Sequence, residues 1–541
     1  YGVSTAYAAK IYRQYQKDAI KTVKENPYKL ADDIWGIGFK TADGIASKMG
    51  YENNDPRRCR SGILYTLNQL AEEGHVFAEP EQLVTAAKEL LQADDEPVRK
   101  VMAEMIAAND LIADNEVVYL PPFYHAENGS AKRLTALLAS NISDSIAAEP
   151  ELAYGAQQST GIVYDEVQQA AINQALDSKV MVLTGGPGTG KTTTTQGIIA
   201  AFKAKGKQIV LAAPTGRAAK RMTEATGMEA KTIHRLLEYN PMDGYKRNDE
   251  NPLEGDVLIV DECSMIDIML FYNLMKAIPE TMRLILVGDI DQLPSVGAGN
   301  VLRDIIDSRQ IPVVRLTRIF RQAQSSRIVM NAHAINAGQF PNISNGRNTD
   351  FFFIKAEDAE TIPQLIVSLV RDRLSKTYGY KPKEIQVLTP MQRGNVGAGN
   401  LNTELQSALN PSEPALTRGG YTFRQGDKVM QIRNNYDKNV FNGDIGYVNA
   451  VDTTERTLTV IYDGRLVEYD VSELDELTLA YAVTIHKSQG SEFPVVVIPV
   501  TMKHYVMLQR NLIYTGITRA KKICVLVGTT KALAYAIKQN T

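Results

Sequence analysis

A glycine-rich segment ending in a lysine and a threonine carries the strongest chemical signal in this sequence. Residues 185–192 read Gly-Gly-Pro-Gly-Thr-Gly-Lys-Thr, after the apolar run Val180–Leu183 and before a helical pattern. In this context glycines let backbone N–H groups converge on phosphates, and the helix N-terminus adds positive potential. Lys191 is predicted to reach the β- and γ-phosphates of a nucleoside triphosphate, and Thr192 to offer its hydroxyl to Mg²⁺. The predicted cofactor-binding residues of this loop are Gly185, Gly186, Pro187, Gly188, Thr189, Gly190, Lys191 and Thr192.

Carboxylates and an amide follow two further apolar runs. Val257–Val260 delivers Asp261 and Glu262 to the end of a strand, where ligands bind in open α/β sheets. Asp261 is predicted to hold Mg²⁺ through water, and Glu262 to orient or deprotonate the attacking water. An acidic pair at a strand end can instead cap a helix, but the phosphate loop favours the metal role. Gln292 follows a later run, and its amide could sense the γ-phosphate, although by itself it is equally consistent with a solvated loop residue.

Composition excludes several other classes of protein. The 541 residues carry 59 Lys and Arg against 62 Asp and Glu, a net charge of −3, so contact with nucleic acid must be local rather than that of a polycation. Cys59, Cys263 and Cys524 are too few for a disulfide framework, which predicts a reducing, cytoplasmic setting. No apolar run is long enough to cross a membrane. The sequence starts at Tyr1 within a structured pattern, and we expect a further segment to precede it.

Short, continuously apolar runs that alternate with helical patterns predict the elements that position these groups. Because such strands are covered on both faces, they indicate parallel sheets in α/β domains. We predict one such domain over residues 161–311 and another over 312–541. The runs are Val180–Leu183, Ile209–Leu211, Val257–Val260 and Leu284–Val287 in the first domain, and Ile385–Leu388, Val495–Ile498 and Ile523–Leu526 in the second.

Three smaller regions complete the predicted organisation. Residues 1–52 contain short helices with glycine turns, residues 53–125 a helical module closed by a hairpin, like a winged helix, and residues 126–160 a polar linker. Between Gly419 and Asp475 the pattern changes, and an Asp463-Gly464 turn between two alternating runs predicts a hairpin. We interpret 419–475 as a small β-barrel inserted into the second α/β domain.

An ordered set of segments resembles the motifs of superfamily 1 helicases. Within that superfamily, Pro214–Arg221 followed by Thr232–Leu237 is similar to the RecD-like helicases. The glycine turns before the motor resemble those of the branch that works without RecB and RecC partners. The segments carrying the resemblance are Gln168, residues 185–192, Ala213–Ala218, Asp261-Glu262, Gly288-Asp289 with Gln292, Leu316–Gln322, Thr484–Glu492 and Tyr514–Ala520.

This resemblance implies an architecture and an activity. The fold class expected is α/β, with two RecA-like motor domains, an SH3-like barrel insertion, and preceding helix-hairpin-helix and winged-helix-like modules. The activity implied is that of an ATP-dependent DNA helicase that moves 5′ to 3′ on single-stranded DNA and unwinds duplex in repair or recombination. ATP and Mg²⁺ are the implied cofactors. Single-stranded DNA, 5′-tailed duplex and a single-stranded-DNA-binding protein are the expected partners of a monomer.

The resemblance also assigns roles to individual residues. Gln168 matches the glutamine that reads adenine, and Arg321 and Arg519 match two arginines that reach the γ-phosphate. A β-hairpin pin that splits the duplex is implied for residues 238–256, which by themselves are only a polar loop. The implied catalytic set is Lys191, Glu262, Gln292, Arg321 and Arg519. The implied DNA-binding set is Pro214, Thr215, Gly216, Arg217, His234, Thr484, His486 and Ser488 in the motor, with Gly36 and Gly38 in the N-terminal turns.

Rival interpretations share these motifs. A translocase that remodels protein–DNA complexes with little unwinding would carry the same motor residues. A DNA-end or junction scaffold with a vestigial motor conflicts with the intact Lys191, Glu262, Arg321 and Arg519. The N-terminal turns argue against a subunit that needs RecB and RecC, although such turns also serve as packing scaffolds.

Overall fold

The computed structural model describes residues 5–34, 37–140, 160–411, 413–435 and 437–540. Gly36 and most of the predicted linker lie outside the described residues. The chain divides into two compact units. The first extends to Thr135 and includes Asp267–Met275 and Ser295–Asn300, and the second contains the remaining segments from Ala136 onward.

Helices and a small antiparallel sheet form the N-terminal region. The predicted hairpin is confirmed, since two strands flank the turn at Asn115 and Glu116, which both have positive φ. Gly38 precedes the fourth helix, and its carbonyl accepts hydrogen bonds from the backbone N–H groups of Thr41 and Ala42. The elements are α1 (Thr5–Tyr15), α2 (Ala19–Glu25), α3 (Lys29–Asp33), α4 (Phe39–Lys48), α5 (Pro56–Glu72), β1 (Phe77–Ala78), α6 (Pro80–Leu91), α7 (Asp95–Ala107), β2 (Ile112–Asp114), β3 (Val117–Tyr119) and α8 (Pro121–Ala139).

Helix α8 contradicts the first part of the linker that the sequence predicted over residues 126–160. It runs without a break from Pro121 to Ala139, so the first part of that segment is helical. Its buried residues include Ala126 and Leu137, which means that the alanine-rich composition serves packing there. The predicted boundary at 125/126 therefore falls inside a helix.

A six-stranded parallel sheet forms the first motor domain, as predicted. Its strand order is β11-β4-β10-β9-β5-β6, and the four predicted runs are its central, fully apolar strands. The elements of this stretch are α9 (Glu166–Asp177), β4 (Val180–Gly185), α10 (Lys191–Ala204), β5 (Ile209–Ala213), α11 (Gly216–Thr226), β6 (Ala230–Thr232), α12 (Ile233–Leu236), β7 (Tyr239–Asn240), β8 (Gly244–Tyr245), β9 (Val257–Val260), α13 (Ile268–Ala277), β10 (Arg283–Gly288), α14 (Val301–Asp307) and β11 (Val313–Leu316).

The first sheet extends beyond the predicted end of its domain. Strand β11 pairs in parallel with β4, with Val313 opposite Val182 and Leu316 opposite Gly185. The boundary predicted at 311/312 is therefore wrong, since the sheet continues to Leu316. An edge strand with one buried face lacks the continuous apolar run that marks the central strands.

A five-stranded parallel sheet, ordered β12-β23-β22-β13-β21, forms the second motor domain. It contains the three predicted runs as β13, β22 and β23. The elements are α15 (Arg321–Gln324), α16 (Arg327–Asn336), β12 (Phe351–Lys355), α17 (Ile362–Ser368), α18 (Leu374–Tyr378), β13 (Ile385–Thr389), α19 (Ala398–Leu409), β14 (Ala415–Arg418), β15 (Tyr421–Arg424), β16 (Lys428–Gln431), β17 (Ile445–Asp452), β18 (Thr457–Tyr462), β19 (Arg465–Asp470), β20 (Leu477–Leu479), β21 (Ala482–Thr484), β22 (Phe493–Val500), α20 (Arg510–Ile517), β23 (Ala520–Gly528) and α21 (Thr530–Lys538).

The predicted insertion is an antiparallel β-structure built on the sheet β19-β18-β17-β16-β20. Asp463 and Gly464 both have positive φ, 48° and 84°, and they join β18 to β19 in the predicted two-residue turn. The β-structure begins with β14 at Ala415 and ends with β20 at Leu479. The boundaries predicted at 419 and 475 are therefore too narrow. Among the described residues, we find no helix with the length and apolarity that a membrane span requires.

Lys428 is a buried cation at the base of this insertion. It is 4% exposed, its Nζ lies 3.4 Å from the carbonyl oxygen of Ile385, and it sits 5.8 Å from the ring centroid of Phe493. Burial, together with the charge of Arg217, lowers the pKa of Lys428 to about 7. Burial thus disfavours the charged form of Lys428 in the folded protein. This lowers the stability of the folded protein at every pH at which the lysine of the unfolded chain is protonated.

We expect Lys428→Met to raise the free energy of unfolding by about 1–3 kcal/mol at pH 6.5, because an apolar side chain of similar length needs no desolvated charge. The penalty is complete below the folded pKa near 7 and shrinks as the pH rises toward the ordinary lysine value, so the gain should be smaller at pH 9. Thermal unfolding at both pH values measures this gain in stability. Lys205→Met, a substitution at an exposed position, is the control. A melting midpoint unchanged at pH 6.5 would contradict the assignment.

Candidate active site

The glycine-rich loop connects β4 to α10, which begins at Lys191. Gly188 and Gly190 have φ of +73° and +81°, a region that favours glycine. A Cβ on Gly190 would lie 2.7 Å from Nε2 of Gln168. The Thr189 hydroxyl donates to the carbonyl oxygen of Gly186 at 2.7 Å. Left-handed backbone and close packing therefore both require glycine in this loop.

Residues from beyond the first sheet cover the outer side of the loop. The backbone N–H of Phe320 donates to the carbonyl oxygen of Gly188 at 3.1 Å, and His333 Nε2 lies 2.8 Å from the carbonyl oxygen of Pro187. A Cβ on Gly186 would lie 2.8 Å from the Tyr514 hydroxyl oxygen. The second motor domain thus contacts the loop directly.

Asp261 and Glu262 follow β9 at the same edge of the first sheet. The Asp261 backbone N–H donates to the carbonyl oxygen of Ala212 at 2.9 Å, which extends the pairing of β9 with β5. Glu262 has φ of +54°, a strained conformation for a residue with a side chain, and its N–H donates to Asp261 Oδ1 at 2.8 Å. This geometry holds both carboxylates at the strand end that the sequence predicted.

The two carboxylates differ in electrostatic environment. Burial, reinforced by the Glu262 charge, raises the pKa of Asp261. Burial also opposes ionisation of Glu262, but the cations Arg221 and Lys191 outweigh it and lower the pKa of Glu262 to about 2. Arg221 forms an ion pair with Glu262 and a second, at 3.1 Å, with Glu492. Glu262 is 3% exposed, and its lowered pKa favours the anionic form.

A third polar group follows β10. Asp289 is buried, which raises its pKa, and its Oδ2 accepts a hydrogen bond from the Tyr514 hydroxyl at 2.7 Å. Gln292 donates through Nε2 to the same oxygen at 3.3 Å. The Gln292 Oε1 atom is buried, and no hydrogen-bond partner for it occurs among the described residues.

The second domain contributes a buried arginine to the same site. Arg519 is 3% exposed, and its guanidinium donates to the carbonyl oxygens of Thr515 and Ser491 at 3.3 and 3.0 Å. Burial lowers the pKa of Arg519, although Glu262 favours its charged form. Because the pKa of arginine is ordinarily far above neutrality, Arg519 remains a cation.

These groups surround one cavity of about 510 Å³. The loop glycines would donate backbone N–H groups to phosphates. Glu262 Oε2 and Gln292 Oε1 are buried and have no hydrogen-bond partner among the described residues, so a bound group could satisfy them. Within the described chain, no cluster of three acidic, His or Cys side chains forms a cation cage. Thr192 and Asp261 line the cavity and offer hydroxyl and carboxylate oxygens, the kind of ligand that suits Mg²⁺. The residues that define the cavity include Lys191, Thr192, Asp261, Glu262, Asp289, Gln292, Arg221, Glu492 and Arg519.

Four predicted cofactor residues do not line this cavity: Gly185 and Thr189 of the loop, Gln168 and Arg321. Arg321 is exposed at the start of α15, and Gln168 is buried behind the loop. Gln168 Oε1 accepts from the Asp165 backbone N–H at 3.1 Å, and Asp165 Oδ1 accepts from the Gln168 N–H at 2.8 Å. This capping box uses the amide oxygen of Gln168, so adenine reading by this residue stays a prediction.

Three residues of the site carry no predicted role. Arg221, His333 and Tyr514 contact Glu262, Pro187 and Asp289 respectively. One signal was available for Arg221, because it lies one helical turn after Arg217, within the segment that resembles RecD-like helicases.

The candidate DNA contact Thr215 of the first domain lies close to Gly490 of the second domain at the start of α11. The Thr215 hydroxyl caps α11 by accepting from the Ala218 N–H at 3.2 Å. A Cβ on Gly490 would lie 2.8 Å from the Thr215 hydroxyl oxygen. Pro214 precedes this cap, and Gly216 lies close to the insertion, since a Cβ there would be 3.6 Å from Asp444 Oδ1.

The second domain's candidate DNA motif is partly buried. The Thr484 hydroxyl accepts from the Lys487 N–H at 3.4 Å. His486 is half-buried, which lowers its pKa and favours the neutral ring. Ser488 is 1% exposed and donates to the carbonyl oxygen of Ile485 at 2.6 Å. In this structure Ser488 therefore serves the local turn and does not reach the surface.

The segment predicted to hold a pin forms a minimal hairpin. Strands β7 and β8 pair antiparallel, with Tyr239 opposite Tyr245 and Asn240 opposite Gly244. The His234 ring packs against both tyrosines at 5.5 and 6.0 Å between centroids. His234 thus contacts the base of the hairpin.

A groove of about 410 Å³ lies between α11 and the insertion. Lys220 and Asp463 form an ion pair across it at 2.9 Å. The walls also carry the aromatic rings of Phe441 and Tyr462, a combination of cations and rings that suits single-stranded nucleic acid. Its basic side chains are Arg217, Lys220, Lys231, Arg235 and Arg465.

A phosphate loop and acidic strand ends in one RecA-like sheet, with an arginine contributed by a second sheet, define a two-domain P-loop NTPase motor. Comparisons with known proteins show what this motor is similar to. Four family models match: ATP-dependent RecD2 DNA helicase HHH domain at 1–77, AAA domain at 168–298, ATP-dependent RecD-like DNA helicase SH3 domain at 401–462 and UvrD-like helicase C-terminal domain at 479–527.

Similar proteins agree with these models. The ATP-dependent RecD2 DNA helicase of Deinococcus radiodurans is 34% identical over 99% of this chain and 74% of its own length. The RecBCD enzyme subunit RecD of Mycobacterium tuberculosis is 32% identical over 79% of each chain. The crystal structure of Pif1 helicase from Bacteroides with ADP-AlF3 and ssDNA matches 70% of this chain and 95% of its own, at 20% identity and a TM-score of 0.44. The chain belongs to the RecD2 family of ATP-dependent DNA helicases.

Proposed function

We propose that this helicase moves 5′ to 3′ on single-stranded DNA and unwinds 5′-tailed duplexes in DNA repair or recombination. It acts as a cytoplasmic monomer, and a single-stranded-DNA-binding protein is its expected partner on the released strand. The resemblance to RecD-like motors in residues 214–221 and 232–237 supports the polarity. The match over residues 1–77 to the RecD2 helix-hairpin-helix model supports a motor that works without RecB and RecC.

One observation carries the proposal: both motor domains contribute side chains to a single cavity beside their candidate DNA contacts. Lys191 and Glu262 come from the first sheet, and Arg519 from the second. Gly490 of the second domain approaches Thr215 of the first. A change in the separation of the two sheets at the cavity would therefore also move Thr215 relative to the segment Thr484–Glu492, which contains Gly490 and the second domain's candidate DNA contacts.

The proposed roles follow from position. Mg²⁺ with ATP would supply a polarised γ-phosphate, with Thr192 as a ligand of the metal and Asp261 holding the metal through water. Lys191 and the loop N–H groups bind the phosphates. Glu262 orients the attacking water and accepts its proton, while Arg519 stabilises charge that develops in the transition state.

Roles for Gln292 and Arg321 complete this proposal. Gln292 lies beside Asp289 at the cavity and reports the γ-phosphate to the second domain through Tyr514. Arg321 would reach the cavity only on further closure, because α15 holds it at the surface in this structure.

Displacement of streptavidin from single-stranded oligonucleotides tests the polarity without requiring unwinding. A 5′-to-3′ motor should clear streptavidin from a 3′-biotin much faster than from a 5′-biotin, in an ATP-dependent reaction. Faster clearance from the 5′ end would overturn the polarity. Clearance from the 3′ end without any strand separation on tailed duplexes would favour the remodelling translocase.

The hairpin β7–β8 offers a separate test of strand separation. We propose that it acts as the pin, and we expect replacement of Asn240–Gly244 by a short Gly-Ser turn to abolish unwinding while DNA-stimulated ATPase persists. The reason is that the hairpin tip lies outside the ATP cavity, and Met242 is 91% exposed there. Unwinding and ATPase are measured in the same preparation. Unwinding at the wild-type rate would remove the pin role.

A further inference from the structure

Arg221 occupies an unusual position in the ATP site. Its Nη2 pairs with Glu262, which follows β9 in the first domain, and its Nη1 lies 3.1 Å from Glu492 in the second domain. A guanidinium can contact two carboxylates at once because its nitrogens point in different directions. Arg221 thus joins the proposed water-activating carboxylate to the opposite motor domain.

Each partner of Arg221 is connected to a candidate DNA contact. Arg221 lies on α11, whose first turn is capped by Thr215. Glu492 lies two residues after Gly490, whose closest approach is to Thr215. A shift of Gly490 relative to Thr215 would therefore change the distance from Arg221 to Glu492, and a shift of α11 relative to β9 would change its distance to Glu262.

The ion pair to Glu262 has a consequence for hydrolysis. The guanidinium pairs with Oε1 of Glu262 and leaves Oε2 without a hydrogen-bond partner among the described residues, but its positive charge makes the whole carboxylate a weaker base toward water. Glu262 has little freedom to turn away, since it is buried and its backbone is fixed by Asp261. Release of Glu262 must therefore come from movement of Arg221.

We propose that Arg221 is a positioning residue that holds Glu262 inactive in the DNA-free enzyme and, when DNA is bound, leaves Glu262 while keeping its ion pair with Glu492. Bound DNA would thereby license ATP hydrolysis, and a motor without a track would not consume ATP. This inference rests on the proposed role of Glu262 in activating water. It adds a link from the DNA contacts to that residue.

Arg221→Gln tests the proposal through the ratio of ATPase rates with and without oligo(dT). The DNA-free rate should rise about tenfold or more, because general-base catalysis is typically worth 10²–10⁴-fold and part of it would be released. The stimulation ratio should fall toward one. Arg221→Lys should keep the DNA-free rate low, since a single ammonium can still pair with Glu262.

Glu492→Gln gives the complementary result. Loss of the second-domain carboxylate removes the acceptor of Arg221, so the stimulated rate should fall and the ratio should drop about tenfold. Glu224→Gln, an exposed position on the same helix, is the matched control and should change neither rate. Binding of a fluorescent non-hydrolysable ATP analogue and of labelled oligo(dT) is measured for each variant and should stay within about threefold.

Two results would overturn the inference. If Arg221→Gln lowers both ATPase rates, or weakens binding of the analogue more than tenfold, Arg221 instead contacts the phosphates. An unchanged stimulation ratio in Arg221→Gln would remove its coupling role. If the wild-type enzyme itself shows no stimulation by oligo(dT), the proposed function fails, and that result is distinct from both.

Discussion

Lys191→Ala should reduce ATP hydrolysis by about 100-fold or more, and unwinding with it. The lysine is the cation at the end of the phosphate loop, where it would neutralise charge on the β- and γ-phosphates. Its Nζ lies 3.5 Å from the carbonyl oxygen of Gly185, a weak contact, so the substitution removes little that holds the fold together. Steady-state ATPase with saturating oligo(dT) measures the effect.

The same variant should keep its affinity for DNA. The basic groove between α11 and the insertion does not include Lys191, and binding of labelled oligo(dT) should change less than about threefold. Lys203→Ala removes an exposed lysine from the same helix and is the matched control. ATPase above a tenth of the wild-type rate in Lys191→Ala, with an unaltered melting midpoint, would contradict the phosphate-loop assignment.

Glu262→Gln is expected to lower ATP hydrolysis by about 10²–10⁴-fold, the usual value of a positioned general base. The amide keeps the size of the side chain but cannot accept a proton from water. In the wild type, burial opposes ionisation of Glu262, but Arg221 and Lys191 outweigh it and lower its pKa, which favours the ionised form that a general base requires. Single-turnover hydrolysis isolates this step from product release.

Nucleotide binding separates this effect from misfolding. Glu262→Gln should bind a fluorescent ATP analogue as tightly as the wild type, because the loop and Lys191 are intact. The exposed Glu224→Gln on α11 repeats the chemical change away from the cavity. A hydrolysis rate within tenfold of the wild type would show that another group activates the water.

The parts of the fold that the sequence predicted are those with a local cause. Central strands such as Val257–Val260 are buried on both faces, so their apolar runs are continuous and visible in the sequence. The turn at Asp463-Gly464 was predictable because a two-residue hairpin turn of this type needs positive φ at both residues, and Asp-Gly is a pair that favours this conformation. Strand β11 has only one buried residue, Leu316, and so lacks this signal.

The parts of the site that sequence did not predict depend on distant contacts. Arg221 lies in a segment that carries the family resemblance, but its partner Glu262 is 41 positions away, so the sequence gives no sign of their contact. The position of Arg321 depends on how closely the second domain approaches, which its own motif does not encode. Ser488 matches a DNA-contacting motif, yet a local hydrogen bond to Ile485 buries its hydroxyl.

The central claim is that ATP hydrolysis drives unwinding from a 5′ tail, and a comparison of two otherwise identical duplexes tests it most directly. One duplex carries a 5′ single-stranded tail and the other a 3′ tail of equal length, and ATPase is followed in the same reactions. The account predicts ATP-dependent strand separation of the 5′-tailed duplex alone, with ATPase stimulated by both. Separation of only the 3′-tailed duplex would contradict the polarity, and stimulated ATPase without separation of either duplex would contradict the assignment of unwinding.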